Sequence, residues 1–316
     1  MLMNKRLAGW TLFLAATGVP FADASPMLAS AGSTDVRVVD RKHSQFNGDI
    51  AVVDAAGIRM LIADARQGIV LQSSMDLIDK TRLVSTYTQI MSILTSLQGK
   101  PSEVLDMGLG GGVLPRFHLS RYPRSKVDSI EIDPAVIEIA RKYFSVENPR
   151  HQVLEGDGLE VTERQNQKYD VIWVDELTPK AGPNAVVQTR FLTALETHLT
   201  PDGIVVANLG PAPKWDQYRD VIDGYKRSYR FGVRVTGPNR SIEAFREATG
   251  LVQTHSHSNG LHDSDPNHFI AVGNNPALTC KKFWQTYSKW VSEKLAAGNL
   301  WPASSAYTPE GFCADL

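Results

Sequence analysis

The chain has 316 residues, 42% of them hydrophobic and 21% charged, with a formal net charge of −1. This is globular composition, long enough for one main domain and a smaller appendage. The near-neutral balance and the lack of a basic run exclude the electrostatic footprint of a nucleic-acid-binding protein.

The chain begins with a basic pair, Lys5 and Arg6, ahead of an apolar stretch, Leu7 to Ala22, that is too short for an easy membrane span. Ala22-Asp23-Ala24 then offers a small-residue cleavage site, with Ala29-Ser30-Ala31 as a second option. Residues 1–24 therefore read as a signal peptide, an uncleaved anchor being the alternative. The expected protein is exported, periplasmic or secreted, with no stable membrane insertion after cleavage. No cysteine lies near the cleavage site, which excludes a lipoprotein.

A Ser/Ala/Gly-rich linker (25–34) leads into a β-rich segment (35–76). Asp49–Val53 and Ile58–Ala63 are apolar runs separated by Ala55-Ala56-Gly57, a hairpin pattern, and Gly68–Leu71 is a third short strand. Leu77 to Leu97 carries Leu83, Tyr87, Ile90, Met91 and Leu94 on one helical face and ends at Gly99-Lys100-Pro101. From there the pattern alternates. Strands are expected at 104–107, 127–132, 151–154, 170–174, 203–208, 231–236 and 268–273. Helices are expected at 113–121, 134–144, 158–166, 185–199 and 214–228. Such alternation predicts an α/β fold, a doubly wound, mostly parallel sheet over 77–276 with the β segment as an N-terminal appendage. A helix from Leu278 to Ala297 and a turn-rich tail complete the chain (277–316). Both cysteines, Cys280 and Cys313, lie in that last segment. In an oxidising compartment the pair is expected to be bridged, two buried thiols being the alternative.

The chemistry concentrates in four strand-end loops. Val104–Met107 leads into a glycine cluster, Gly108, Gly110, Gly111 and Gly112, and the next strand ends in Glu131 and Asp133. Strand, glycine turn, helix, strand, acid is the plan of a nucleotide site in an open α/β sheet. Glycines bring the backbone close to a ligand, and an acid at the next strand tip can accept both ribose hydroxyls. Gly156-Asp157-Gly158 follows the third strand, where an acid can accept from an exocyclic amine; a plain Asp-Gly turn is the alternative. The buried run Asp170–Val174 puts Asp175 at a fourth tip, with a helix cap as its structural alternative.

From about His43 to Gly210 these features resemble the spermidine synthase (polyamine aminopropyltransferase) family. The resemblance rests on Asp49-Ile50, Gln72-Ser73-Ser74, Tyr87-Thr88-Gln89, the glycine loop, Glu131-Ile132-Asp133, Gly156-Asp157-Gly158, Asp175, Pro179 and Gly182-Pro183. It implies an S-adenosylmethionine-methyltransferase-like (Rossmann-like) sheet behind an N-terminal β domain. The implied activity is transfer of an aminopropyl group from decarboxylated S-adenosylmethionine to a small-molecule amine. By the same resemblance Glu131 holds the ribose and Asp157 and Gly158 hold the adenine. Gly108, Gly110 and Gly112 pass the aminoacid-like arm, with Gln72 and Asp106 completing the nucleotide site. Asp175 is the implied catalytic acid, with Tyr87 as its partner.

The chain also departs from that pattern. The family's G-G-G-D-G loop is Gly108-Leu109-Gly110-Gly111-Gly112, with no acid. The second aspartate of D-x-x-D-P is Thr178, the early glutamine is Asn47, and Thr88 follows the loop tyrosine. Val104-Leu105-Asp106-x-Gly-x-Gly-x-Gly reads equally well as the first motif of S-adenosylmethionine methyltransferases, which makes methyl transfer the alternative activity. A non-catalytic exported nucleoside- or polyamine-binding protein is a third reading. His255, His257, His262 and His268 crowd a polar segment with Asp263 and Asp265. No metal is expected there, although His-x-His beside acids is a pattern that zinc or copper accepts. A homodimer is compatible with the resemblance.

Overall fold

Two sheets carry the architecture, one of four strands and one of eight. The computed structural model describes residues 36–65, 68–175, 189–211, 215–237, 267–296 and 313–316. The expected leader and linker, the segment with Thr178, Pro179, Gly182 and Pro183, and His255, His257 and His262 lie outside the described residues.

The first sheet is an antiparallel meander of β1 (Arg37–Ser44), β2 (Gly48–Ala55), β3 (Ile58–Ala65) and β4 (Gly68–Asp76). The β2–β3 turn is Ala56-Gly57, both at positive φ (49° and 78°), and this primed geometry matches the twist of the flanking strands. β1 lies within the expected β-rich segment (35–76) but ahead of Asp49–Val53, the first strand that the sequence marks. Its residues RVVDRKHS are mostly half-exposed along an edge, so no clean alternation marks it. β4 likewise runs on past Leu71 to Asp76.

The helix expected over Leu77–Leu97 is shorter. α1 spans Thr86–Thr95. Asp76 interrupts it by accepting from the amides of Ile78 (2.7 Å) and Asp79 (2.9 Å) and from Arg82 Nε (2.7 Å). An aspartate that captures amides two and three residues ahead makes a turn, not a helix.

The second sheet holds β5 (Glu103–Met107), β6 (Lys126–Glu131), β7 (His151–Glu155), β8 (Tyr169–Val174), β9 (Leu199–Pro211), β10 (Phe231–Gly237), β11 (Asn267–Gly273) and β12 (Cys313–Asp315). Its spatial order is β12-β10-β11-β9-β8-β5-β6-β7. The five strands from β9 to β7 are parallel, and β11, β10 and β12 extend the sheet antiparallel beyond β9. The helices are α2 (Val113–Arg121), α3 (Pro134–Tyr143), α4 (Gly158–Glu163), α5 (Thr189–His198), α6 (Trp215–Ser228) and α7 (Cys280–Ala296).

Strand alternation divides the core between two faces. Val104, Val171, Trp173, Ile204, Val206 and Phe269 pack with Ile90 and Leu94 of α1 and Phe283 and Trp290 of α7. Leu105, Met107, Ile172, Val174 and Val205 pack with Phe191 and Leu195 of α5 and Tyr225 of α6. With both faces covered, the strands read as continuous apolar runs, which is why the sequence locates them well. The buried Trp173 keeps its indole N–H satisfied on Thr95 Oγ1 at 2.8 Å.

The tail belongs to this domain: α7 fills one core face, and β12 pairs with β10. Cys280 and Cys313 sit side by side, their Cα atoms 5.8 Å apart and their sulfurs at bonding distance.

The meander lies over the start of the central sheet. Ile50, Val52, Leu61 and Met75 share one cluster with Leu109 of the glycine loop, Val113 and Phe117 of α2, and Val136 and Ile137 of α3. Polar links add register. Asp133 caps α3 through the amide of Ala135 (2.9 Å), ahead of Pro134. Its other oxygen accepts from Ser44 Oγ and from Asn47 Nδ2 (2.7 Å). Among the described residues no helix is long and apolar enough to cross a membrane.

Candidate active site

The chain runs β5, β6, β7 in one direction, then returns to place β8 on the other side of β5. The crevice above the carboxyl ends at such a switch point is where open α/β sheets bind ligands. Backbone bonds beyond the strands fix those ends. Gly108 N–H donates to Ile130 C=O (2.9 Å), Gly156 N–H to Glu131 C=O (2.9 Å), and Asp175 N–H to Met107 C=O (3.0 Å).

The glycine loop is tight for two reasons. Gly108, Gly110 and Gly112 adopt φ of 108°, 50° and 59°, where a side chain is strained. The loop is also held against β4, since Ser73 Oγ accepts from Gly111 N–H at 2.8 Å. A Cβ at Gly110 would lie 2.9 Å from Ser73 Oγ, and one at Gly111 would lie 2.8 Å from the Phe144 ring and 2.9 Å from Ser73 Cβ. The family's loop acid is thus missing from the sequence and has no room in this packing.

The predicted site residues gather around the loop. Glu131, half-buried at the end of β6, accepts from the amides of Asp133 (3.0 Å) and Gly110 (3.3 Å), so it spans from its own strand to the glycine turn. Asp157 is exposed and caps α4, its Oδ1 accepting from Leu159 and Glu160 N–H (3.0 Å each). That cap is a local structural task, and Gly158 is buried behind it. Gln72 on β4 donates from Nε2 to Asn47 Oδ1 (3.0 Å), which extends the chain from Asp133 through Asn47. Gln72 Oε1 is buried with no hydrogen-bond partner among the described residues. A buried acceptor of that kind calls for a donor. Tyr87 donates its hydroxyl to the Gln72 carbonyl (3.2 Å).

Charge sets the character of the crevice. Asp106 is 1% exposed. Burial lifts its carboxyl well above the ordinary range, Ser129 Oγ–H (2.7 Å) opposes the rise, and Asp175 and Glu131 add to it by repulsion. Asp175 is pushed up to about 7, mainly by burial, against one hydrogen bond from Asn208 Nδ2 (2.9 Å). Burial and then the Asp175 charge raise the Tyr87 phenol. Among the described residues no cation is among the groups that set the Asp106 and Asp175 carboxyls. Acids crowded together in this way favour a cationic ligand.

Residues 85–215 match the family described as spermine/spermidine synthase domain. The chain is 28% identical over 266 residues to a polyamine aminopropyltransferase of Vibrio vulnificus, covering 80% of this chain and 87% of that one. The chain is spermidine synthase-like. It is also 27% identical to human eEF1A lysine and N-terminal methyltransferase, over 66% of this chain but 38% of that larger protein. The fold agrees. A probable spermidine synthase from Corynebacterium glutamicum superposes with a TM-score of 0.59, over 86% of this chain and 98% of that one, at 15% identity. A spermidine synthase in complex with the transition state analogue AdoDATO superposes at 0.51 and 18% identity, over 78% of this chain and 75% of that one.

Several residues of this crevice carry no role in the sequence reading. Asn208 had a visible mark, a polar residue at the carboxyl end of the apolar strand IVVANLG. Ser129 and His151 had none, because their roles come from contacts across strands; Ser73 stood in the Gln72-Ser73-Ser74 match, but its bond to the glycine loop did not. Among the described residues no group of three or more metal-ligating side chains occurs; His268 lies in β11, with Nδ1 3.4 Å from Thr236 Oγ1.

Proposed function

We propose that this protein is a transferase that moves the aminopropyl group of decarboxylated S-adenosylmethionine to an amine acceptor. The observation that carries the proposal is Asp175, a carboxyl raised to about 7 at the tip of β8, in the field that also reaches Tyr87. The reaction is attack by an amine nitrogen on the carbon next to a sulfonium. Methylthioadenosine leaves as a neutral sulfide, so the leaving group needs no acid. The nucleophile needs help, because an alkylamine with a pKa of about 10 is almost wholly protonated at neutral pH. A base poised near 7 that orients the amine and takes its proton meets that need. The nucleotide lies with its ribose on Glu131, its adenine beside Asp157 and Gly158, and its arm along Gly108, Gly110 and Gly112. Gln72 Oε1 and the Asp106 field receive the cationic end of the arm.

The loop packing favours a second reading. With Ser73 and Phe144 filling the place of a loop acid, the crevice lacks one charge suited to a diamine. A methyl group from S-adenosylmethionine delivered to another nucleophile uses the same nucleotide pocket, and the similarity to the eEF1A methyltransferase supports it. In either case the acceptor is a small molecule or side-chain nucleophile, not nucleic acid. If residues 1–24 are a leader, the mature protein works after export and draws on nucleotide present there.

The test is product analysis on the purified full-length protein. Putrescine with decarboxylated S-adenosylmethionine should release methylthioadenosine. Adenosylhomocysteine formed only from S-adenosylmethionine and an acceptor would replace the first reading by the second. Tight nucleotide binding with neither product would remove both in favour of a binding protein.

A further inference from the structure

A chain of three side chains runs across neighbouring strands: Asp106 on β5, two residues before the glycine loop, Ser129 on β6 and His151 on β7. Ser129 Oγ is 2.7 Å from Asp106 Oδ2 and 2.8 Å from His151 Nε2, and His151 Nδ1 is 3.0 Å from the Val146 carbonyl. Asp106 and Ser129 are 1% and 0% exposed. Hydrogen-bond inventory limits what this chain can do. The Val146 carbonyl only accepts, so His151 Nδ1 carries a proton. Ser129 has one hydrogen and two neighbours. If Nε2 is bare, Ser129 donates to it, and Asp106 must then be the protonated acid that donates to Ser129. If Nε2 carries a proton, it donates to Ser129, which donates in turn to an ionised Asp106. An ionised Asp106 beside a neutral His151 sets two lone pairs against each other, and a protonated Asp106 beside an imidazolium leaves the Ser129 hydrogen without an acceptor. Two arrangements therefore satisfy every bond, and they differ only in the positions of two protons.

We propose that Asp106, Ser129 and His151 form a proton relay that matches the charge under the site to the arm of the bound nucleotide. When a nucleoside with an ammonium-bearing arm enters, the Asp106 proton passes to Ser129 Oγ, and the Ser129 proton passes to His151 Nε2. Asp106 is left as a carboxylate facing the ammonium, and His151 as an imidazolium. When a neutral nucleoside remains after transfer, the two protons return. The inference rests on the nucleotide reading above and assigns the site a means of telling cationic substrate from neutral product. The surroundings hold the resting form on the neutral side. Burial, Asp175 and Glu131 oppose an ionised Asp106, and burial and Arg116 oppose the imidazolium, while Asp128 and Glu147 favour it.

Nitrogen NMR of the histidine rings in the full-length protein tests the relay. Without ligand at pH 7, His151 should be neutral with its proton on Nδ1. Saturation with S-adenosylmethionine or its decarboxylated form should add the second proton at constant pH, and methylthioadenosine should not. Ser129→Ala and Asp106→Asn should each leave His151 neutral with all three nucleotides. Ser129→Ala should also weaken the two cationic nucleotides by about tenfold, one pKa unit of lost charge matching, without changing methylthioadenosine. Protonation of His151 by methylthioadenosine, or its persistence in Ser129→Ala, would overturn the relay. If no nucleotide binds, the nucleotide reading fails, and the relay is decided in the free protein. There Asp106 and His151 must titrate as one linked pair that Ser129→Ala splits in two; unlinked titration in the wild type overturns the proposal.

Discussion

Strand β8 carries an aspartate at each end, and the two are treated in opposite ways. Asp170, where the strand begins, accepts from Ser102 N–H (2.9 Å), Ser102 Oγ (2.7 Å), Glu103 N–H (3.2 Å) and Thr200 Oγ1 (3.1 Å). These donors outweigh partial burial and hold its carboxyl below the ordinary range. Asp175, at the other end, has one donor, Asn208, and burial wins, lifting it to about 7. One carboxylate serves the fold by being satisfied. The other is kept short of partners at the cost of stability, the condition in which a carboxyl near neutral pH exchanges protons.

Substitutions at these two ends sharpen or break the contrast. The largest expected effect is on turnover: Asp175→Asn should lower kcat by roughly 10²–10⁴, the range for loss of a general base, with nucleotide affinity intact by calorimetry. Unchanged kcat would remove Asp175 from catalysis. The same variant should be more stable than the wild type above pH 7, by on the order of 1–2 kcal/mol after allowance for partial solvent access. Because the folded state holds that proton more tightly than the unfolded chain, the gain should fade as pH falls from 7 towards 4. Asp170→Ala should do the reverse. It strands several donors and should cost about 1–2 kcal/mol in urea unfolding at pH 7. That cost should shrink only below about pH 4, where the unfolded carboxyl is already protonated. Equal pH dependence of the two variants would erase the contrast. In the wild type, kcat/KM should rise with pH through about 7 as Asp175 ionises. Asn208→Leu, which removes the opposing donor, should move that limb upward by less than about one pH unit, with little change at high pH.

The same contrast shows how far the residues alone could be read. Strand ends in apolar runs were legible because a parallel sheet covered on both faces needs continuous Val, Ile and Leu. The positions of Glu131, Asp157 and Asp175 followed from there. Asp170 and Asp175 look alike in sequence, since the donors that separate them come from Ser102 just before β5 and from Thr200 and Asn208 on β9. β1 carries no alternation because an edge strand bears charge where apolar residues are sought, and the apolar face from Leu77 overstates α1 because Asp76 turns the chain before Ser85. The glycine loop marked a nucleotide site, but its closure against Ser73 and Phe144 depends on β4 and the end of α3, which the loop sequence does not mention.

The pairing of Cys280 with Cys313 bears on how the protein must be handled. β12 is three residues long and covers the edge of β10, whose other side is already paired to β11. So short a strand has little grip of its own, and a bond between the two neighbouring sulfurs would tie it to α7 and hold it in register. Without that bond, as in a reducing cytosol, the cover would loosen and the bare edge of β10 would become a template for another chain. Yield of dispersed protein should therefore depend on the oxidation state of the compartment in which it is made, independently of whether the crevice above β5 and β8 is occupied.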